Sequence, residues 1–144
     1  MSSDPDTLDR MLAERLRARG RRVTSQRVVL QRALHELGRH ASAEEVRRAA
    51  EDRLPGLSLP TVYATLELFE ELGLVRRVAA GAGHVLYDPR TDGHAHFRCR
   101  ACGAVTDLDA RPDATAARRA ARRAGHDPEA VEVVVGGLCA ACRV

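Results

Sequence analysis

All four cysteines of the chain stand in two pairs of equal spacing, Cys99-Arg-Ala-Cys102 and Cys139-Ala-Ala-Cys142. Two thiolates three positions apart can occupy one edge of a tetrahedral zinc ion, and two such pairs complete a closed site. A redox dithiol or a disulfide is the other chemistry open to this spacing. No cysteine is left over for catalysis. The 36 residues between the pairs exceed a compact zinc ribbon, so a folded segment must run out and return.

A second group of potential ligands flanks the first pair. His94-Ala-His96 places two imidazoles on one side of a strand, because strand side chains alternate. Asp88 lies upstream across a short linker, Asp107 falls on the next expected strand, and His40 ends the second expected helix. These are nitrogen and oxygen donors without a thiolate, suited to Mn²⁺, Fe²⁺ or Ni²⁺ and open to Zn²⁺. Taken singly, His40 reads as a helix-terminal histidine and Asp107 as an exposed strand residue. The His-x-His beside a CxxC is harder to explain without a metal. His84 and His126 are not expected as ligands, and His35 is expected on a helix face.

The elements that must hold these groups can be read from periodicity and caps. Leu8, Met11, Leu12 and Leu16 recur at helical spacing, and Gly20 stops the helix. Thr24 caps a second helix with Val28, Val29, Ala33, Leu34 and Leu37 inside and Gly38 as the stop. Ser42-Ala-Glu-Glu45 is a capping box that opens a third helix through Val46, Ala49 and Ala50. Ser58 caps a fourth, with Pro60 in its first turn, Val62, Leu66, Phe69 and Leu72 inside, and Gly73 at its end. Strands at Leu74–Val78 and His84–Tyr87 flank a glycine-bearing hairpin tip, Ala79–Gly83. Helices followed by a hairpin are the order of a winged helix-turn-helix, with the fourth helix expected in a DNA major groove.

Asp88–Gly93 reads as a linker. Beyond it, strands are expected at Ala95–Arg100 and Ala104–Leu108, a helix at Asp113–Arg123 and a strand at Val131–Val135. The whole is an α+β chain: a winged-helix domain over 1–87, a hinge at 88–93 and a small dimerisation and metal-binding domain over 94–144. The second domain is too small to be comfortable alone, and a zinc and a second copy would each help it.

Composition agrees with this division. The 144 residues suit one ordinary domain or two small ones, and 44% hydrophobic content can fill a core. Two Phe, two Tyr and no Trp leave a second core thin. No apolar run approaches 18 residues and no signal peptide is evident, so a cytoplasmic protein without a membrane partner is expected. There thiols stay reduced and CxxC pairs favour metal. Arg10 to Arg77 carries 14 Arg against 9 acids (net +5), whereas residues 79–144 carry 9 Arg against 8 (net +1). Every basic residue is Arg. Arg-laden, near-neutral helices suit phosphate backbones, although a solvated face is the plainer reading of any single Arg.

The order Arg22-Val-Thr-Ser-Gln-Arg27, His40-x-Ser-Ala-Glu-Glu, Ser58-x-x-Thr61-Val-Tyr63-x-Thr-Leu66, Tyr87-Asp88, His94-x-His96-x-x-Cys99-x-x-Cys102-Gly103 and Cys139-x-x-Cys142 resembles the ferric uptake regulator family over roughly residues 8–143. The resemblance implies a homodimeric repressor that needs a regulatory metal to bind an inverted-repeat operator on double-stranded DNA. It implies a structural zinc at Cys99, Cys102, Cys139 and Cys142. It also implies a regulatory site at His40, Asp88, His94, His96 and Asp107, bridging the DNA-binding half, the hinge and the dimerisation half.

The same resemblance sorts the signals. Zinc-sensing members carry a Cys where this chain has Asp88. Iron-sensing members usually carry Glu at the positions of Asp88 and Asp107 and an extra His or acid where Gly93 and Ala95 stand. Nickel sensors add further His. The five donors are most similar to the peroxide-sensing branch, in which Fe²⁺ or Mn²⁺ holds the repressor on DNA. Peroxide reduced at Fe²⁺ then oxidises imidazoles matching His40 and His94. An iron- or manganese-responsive repressor without peroxide chemistry would use nearly the same ligands. Candidate DNA contacts are Ser58, Thr61, Tyr63 and Thr65 on the exposed start of the fourth helix, with Arg19, Arg21, Arg22 and Arg27 before it and Arg76 and Arg77 on the wing. Thr61 and Tyr63 resemble the family's contact positions, Ala64 departs from the Arg or Asn often found there, and the plainer role for Tyr63 is packing against the second helix. Two rival classes remain: a His-rich peroxide-consuming enzyme, and a zinc-stapled interaction module that does not bind DNA.

Overall fold

Leucine at every fourth position makes the first helix amphipathic, and its stripe of Leu8, Leu12 and Leu16 is buried. In the computed structural model, which describes residues 4–80, 83–91 and 93–143, this helix is α1, Pro5–Ala18. The chain divides into two compact units, Met1–Thr91 and Asp92–Val144.

The first unit continues with α2 (Ser25–Leu37), α3 (Ala43–Ala50) and α4 (Leu59–Glu71). Each begins at its expected cap. Thr24 accepts from the Arg27 N–H, the reciprocal Ser42–Glu45 box is complete, and Ser58 accepts from the Thr61 N–H. Gly38 and Gly73 stop α2 and α4 with φ of 62° and 70°, a conformation that glycine adopts without a Cβ clash. Arg15 Nη1 also reaches the Leu72 carbonyl at 2.6 Å, so a cation from α1 ends α4. Arg32 clamps Asp9 with two nitrogens and ties α2 to α1. The core joins Leu12, Leu16, Leu30, Leu34, Val46, Val62, Leu66 and Phe69. Val28, Val29 and Leu37, expected inside, are only partly buried, and Leu30 takes the central place.

A hairpin follows, β1 (Arg76–Ala79) against β2 (Val85–Asp88), antiparallel from Arg76↔Asp88 to Ala79↔Val85. Pairing starts two residues later than expected. Leu74 donates its N–H to the Phe69 carbonyl, so it closes the end of α4, and Leu74 and Val75 are buried there. Gly81 and Ala82 of the expected tip, and Asp92 of the expected hinge, lie outside the described residues. Asp88, expected in the linker, is the last residue of β2.

The second unit holds β3 (Ala95–Cys99), β4 (Val105–Leu108), α5 (Thr115–Arg123) and β5 (Val134–Gly137). The sheet order is β4-β3-β5, with β3 antiparallel to β4 and parallel to β5. The last strand lies nearer the second cysteine pair than the expected Val131–Val135. Asp113 precedes α5 and accepts from the Thr115 N–H, so it makes the entering turn. No residue of α5 is buried, and Ala95 and Cys99 are the only buried apolar residues among those described after Gly93.

Candidate functional site

Both cysteine pairs sit in tight knuckles. Gly103 donates its N–H to the Cys99 carbonyl at φ 75°, and Cys142 and Arg143 both donate to the Cys139 carbonyl. The parallel β3–β5 ladder pairs Cys99 with Gly137, which carries the second knuckle to the first. One sulfur from each cysteine falls within 4.8 Å of the others. Cys102 and Cys139 sulfurs are 3.8 Å apart. A tetrahedron with Zn–S near ~2.3 Å has an edge of about 3.8 Å, which the Cys102–Cys139 separation matches. Backbone N–H groups of Cys102 and Cys139 bring the Cys99 thiol down to about 6, while hydrogen bonding with Cys139 and the other thiols pushes Cys142 up to about 12.

The His/Asp donors are placed by two separate pairings, one in each unit. In the second unit, His96 stands directly across the β3–β4 ladder from Asp107. His94 lies two residues earlier on the same side. The result is a convergent trio: His94 Nε2 is 2.9 Å and His96 Nε2 3.5 Å from the same Asp107 oxygen. The imidazole centroids are 4.5 Å apart at 60°. Both histidines are buried, and Asp107 keeps partial access to solvent.

In the first unit, a lone antiparallel bridge does the same work. Ala41 and Tyr87 exchange both backbone hydrogen bonds, at 3.1 and 2.8 Å. The next residue pair outward is His40 and Asp88, whose Nε2 and Oδ2 are 3.2 Å apart and buried. This bridge is long-range and leaves no periodic trace, so the chain sequence could name His40 and Asp88 only by type and by family resemblance. His84 is exposed and belongs to neither cluster among the described residues.

The candidate DNA face holds one correction. Thr65, expected at the exposed start of α4, is buried at 7% exposure and donates its hydroxyl to the Thr61 carbonyl one turn back. Its small side chain lets the position turn inward, which the apolar periodicity of α4 did not mark. Ser58 and Thr61 are accessible, but their hydroxyls bond each other at 2.8 Å. Tyr63 is 38% exposed, against the packing role weighed for it. Arg19, Arg21 and Arg22 are exposed, and Arg27 donates to the Arg22 carbonyl. Arg77 lies 3.8 Å from Glu70, and Arg76 is half-buried on β1. Gln26, not singled out by the sequence, lines the clefts beside α4. Its signal was its place in the Arg22–Arg27 motif.

Comparisons with known proteins agree with this architecture. The model of the ferric uptake regulator family matches residues 18–135. The transcriptional regulator FurA of Mycobacterium tuberculosis is 33% identical over 145 aligned positions, covering 100% of this chain and 95% of that one. The peroxide-responsive repressor PerR of Staphylococcus epidermidis is 32% identical over 111 residues, covering 75% of this chain and 74% of that one. A zinc uptake regulator solved with zinc and DNA superimposes with a TM-score of 0.72 at 24% identity, covering 96% of this chain and 95% of that one.

Proposed function

The chain belongs to the ferric uptake regulator family, and we propose that it is a repressor of the peroxide-responsive kind. Members of the family are metal-responsive transcription regulators that bind DNA as dimers, and they are not enzymes. The observation that carries the finer reading is the separation of donors. Four thiols cluster by themselves, while every donor of the His/Asp sets is nitrogen or oxygen. Fe²⁺ bound by such donors supplies a centre that reduces peroxide, and Mn²⁺ supplies one that does not.

The residues divide the work. Cys99, Cys102, Cys139 and Cys142 hold a structural zinc and take no part in sensing. His94, His96 and Asp107 offer three donors from one unit, and His40 and Asp88 offer two from the other. Joined on one ion, the two sets fix the winged helices of a homodimer at the spacing of an inverted-repeat operator. Loss of His40 or His94 as a ligand, by oxidation, frees the two sets from each other and relaxes that spacing. Solvent reaches this site beside Asp107, whereas thiolates closed around zinc leave no open position.

The experiment is operator binding by zinc-stapled protein titrated separately with Mn²⁺, Fe²⁺ and Zn²⁺, each with and without peroxide. Peroxide should release only the iron-loaded protein, with one added oxygen on His40 or His94 in the peptide map. Metal-dependent binding that peroxide leaves intact would assign the chain instead to iron- or manganese-responsive repressors without peroxide chemistry, and release with unmodified histidines would rule out oxidation of His40 or His94.

A further inference from the structure

Two open clefts meet where the start of α2 faces the start of α4. One is lined by Gln26, Arg27, Pro60, Thr61 and Ala64, and the other by Gln26, Arg53, Ser58 and Thr61. Gln26 and Thr61 are common to both. The side-chain hydroxyls along this edge are already engaged. Ser58 and Thr61 hydroxyls bond each other, Ser58 also caps the Thr61 N–H, and the Thr65 hydroxyl bonds the Thr61 carbonyl. Arg53 gives both terminal nitrogens to Glu36, and Arg27 gives one to the Arg22 carbonyl. The Gln26 carboxamide makes no hydrogen bond among the described residues, and its side chain is half-buried between the two helices.

We propose that Gln26 is a DNA-contacting residue that donates its amide N–H to a backbone phosphate beside α4, a role that rests on the DNA-binding reading above. Side-chain amides commonly make such contacts, which position a helix without reading sequence. Location selects phosphate over base. The first cleft is also lined by buried Thr65 and Leu68, so it follows the core-side edge of α4. A helix seated in the major groove presents its exposed tip to base edges and its flanks to the strands that wall the groove. The Arg27 guanidinium lines the same cleft and supplies the charge that a neutral amide lacks.

The test uses full-length, metal-loaded protein with two probes: a duplex selected by it from a randomised library, and a scrambled duplex of equal length. Gln26→Ala should weaken both by about tenfold, the loss expected for one hydrogen bond to a charged group, with the salt slope unchanged. Gln26→Lys should restore affinity for both and steepen the salt slope by about one phosphate. Unchanged affinity in Gln26→Ala, at an unaltered melting temperature, overturns the proposal. A loss confined to the selected duplex also overturns it, because that pattern marks base reading. A randomised library from which wild-type protein enriches no duplex under any metal would instead remove the DNA-binding reading itself.

Discussion

Asp107 ties together the two buried histidines of the second unit. One of its oxygens meets both His94 and His96, so removing it unties two imidazoles at once. Asp107→Ala and His94→Ala should each abolish metal-dependent operator binding while zinc content and the dimer persist; metal-responsive repression retained by either variant would count against the five-donor site. Tyr87 makes the opposite kind of case. Its ring is fully buried, its hydroxyl meets no partner at good hydrogen-bond geometry among the described residues, and burial pushes the phenol up against the opposing pull of the nearby Arg77 guanidinium. A buried hydroxyl whose one neighbour is poorly aligned stabilises the fold little, so Tyr87→Phe should leave the melting temperature nearly unchanged. A clear fall would reveal a partner for that hydroxyl. The four cysteines and the His-x-His were evident in the chain because their spacing is local. The inward turn of Thr65 was not, because a threonine at a helical surface position looks the same facing in or out.

Among the elements, the helix starts were the most readable, since a capping residue acts on its own neighbours. Ser42 and Glu45 exchange both hydrogen bonds of the box, and Ser42→Ala should cost about 1 kcal/mol in denaturant-derived stability. The Ser42 backbone N–H holds the Glu45 carboxyl below its usual range. A carboxylate depressed on folding contributes stability above its unfolded range and loses it as pH falls through its folded value. Glu45→Gln should therefore reduce the acid-side decline slightly, the effect being small because the group is largely screened by solvent. Strand ends were harder to read. The first strand started late because Leu74 and Val75 close α4, and the last shifted toward Cys139 because its register follows β3 rather than its own β-branched run.

At the scale of the molecule, the two units bury very different amounts of apolar side chain. The first buries a leucine-rich helical core. The second buries only Ala95 and Cys99 as apolar residues among those described, and leaves Val134 and Val135 at 39% and 45% exposure. A zinc held by the four thiols would contribute on the order of 10 kcal/mol to such a domain. Chelating the zinc should erase the sheet signal in circular dichroism and shift the protein from dimer to monomer on sizing, while the helical signal of the first unit persists. A dimer with intact sheet after verified zinc loss would show that the thiols are not the staple.

Residue types and short-range spacing were enough to name the cysteine pairs, the caps, the glycine stops and the α+β order, because each depends on neighbours within one turn or one knuckle. They were also enough to nominate the His/Asp donors by chemistry. The convergence of those donors was another matter. His96 meets Asp107 through the register of a ladder, and His40 meets Asp88 through a single bridge between residues 46 positions apart. Register and long-range pairing depend on how whole elements pack, and a linear pattern of residues does not record that.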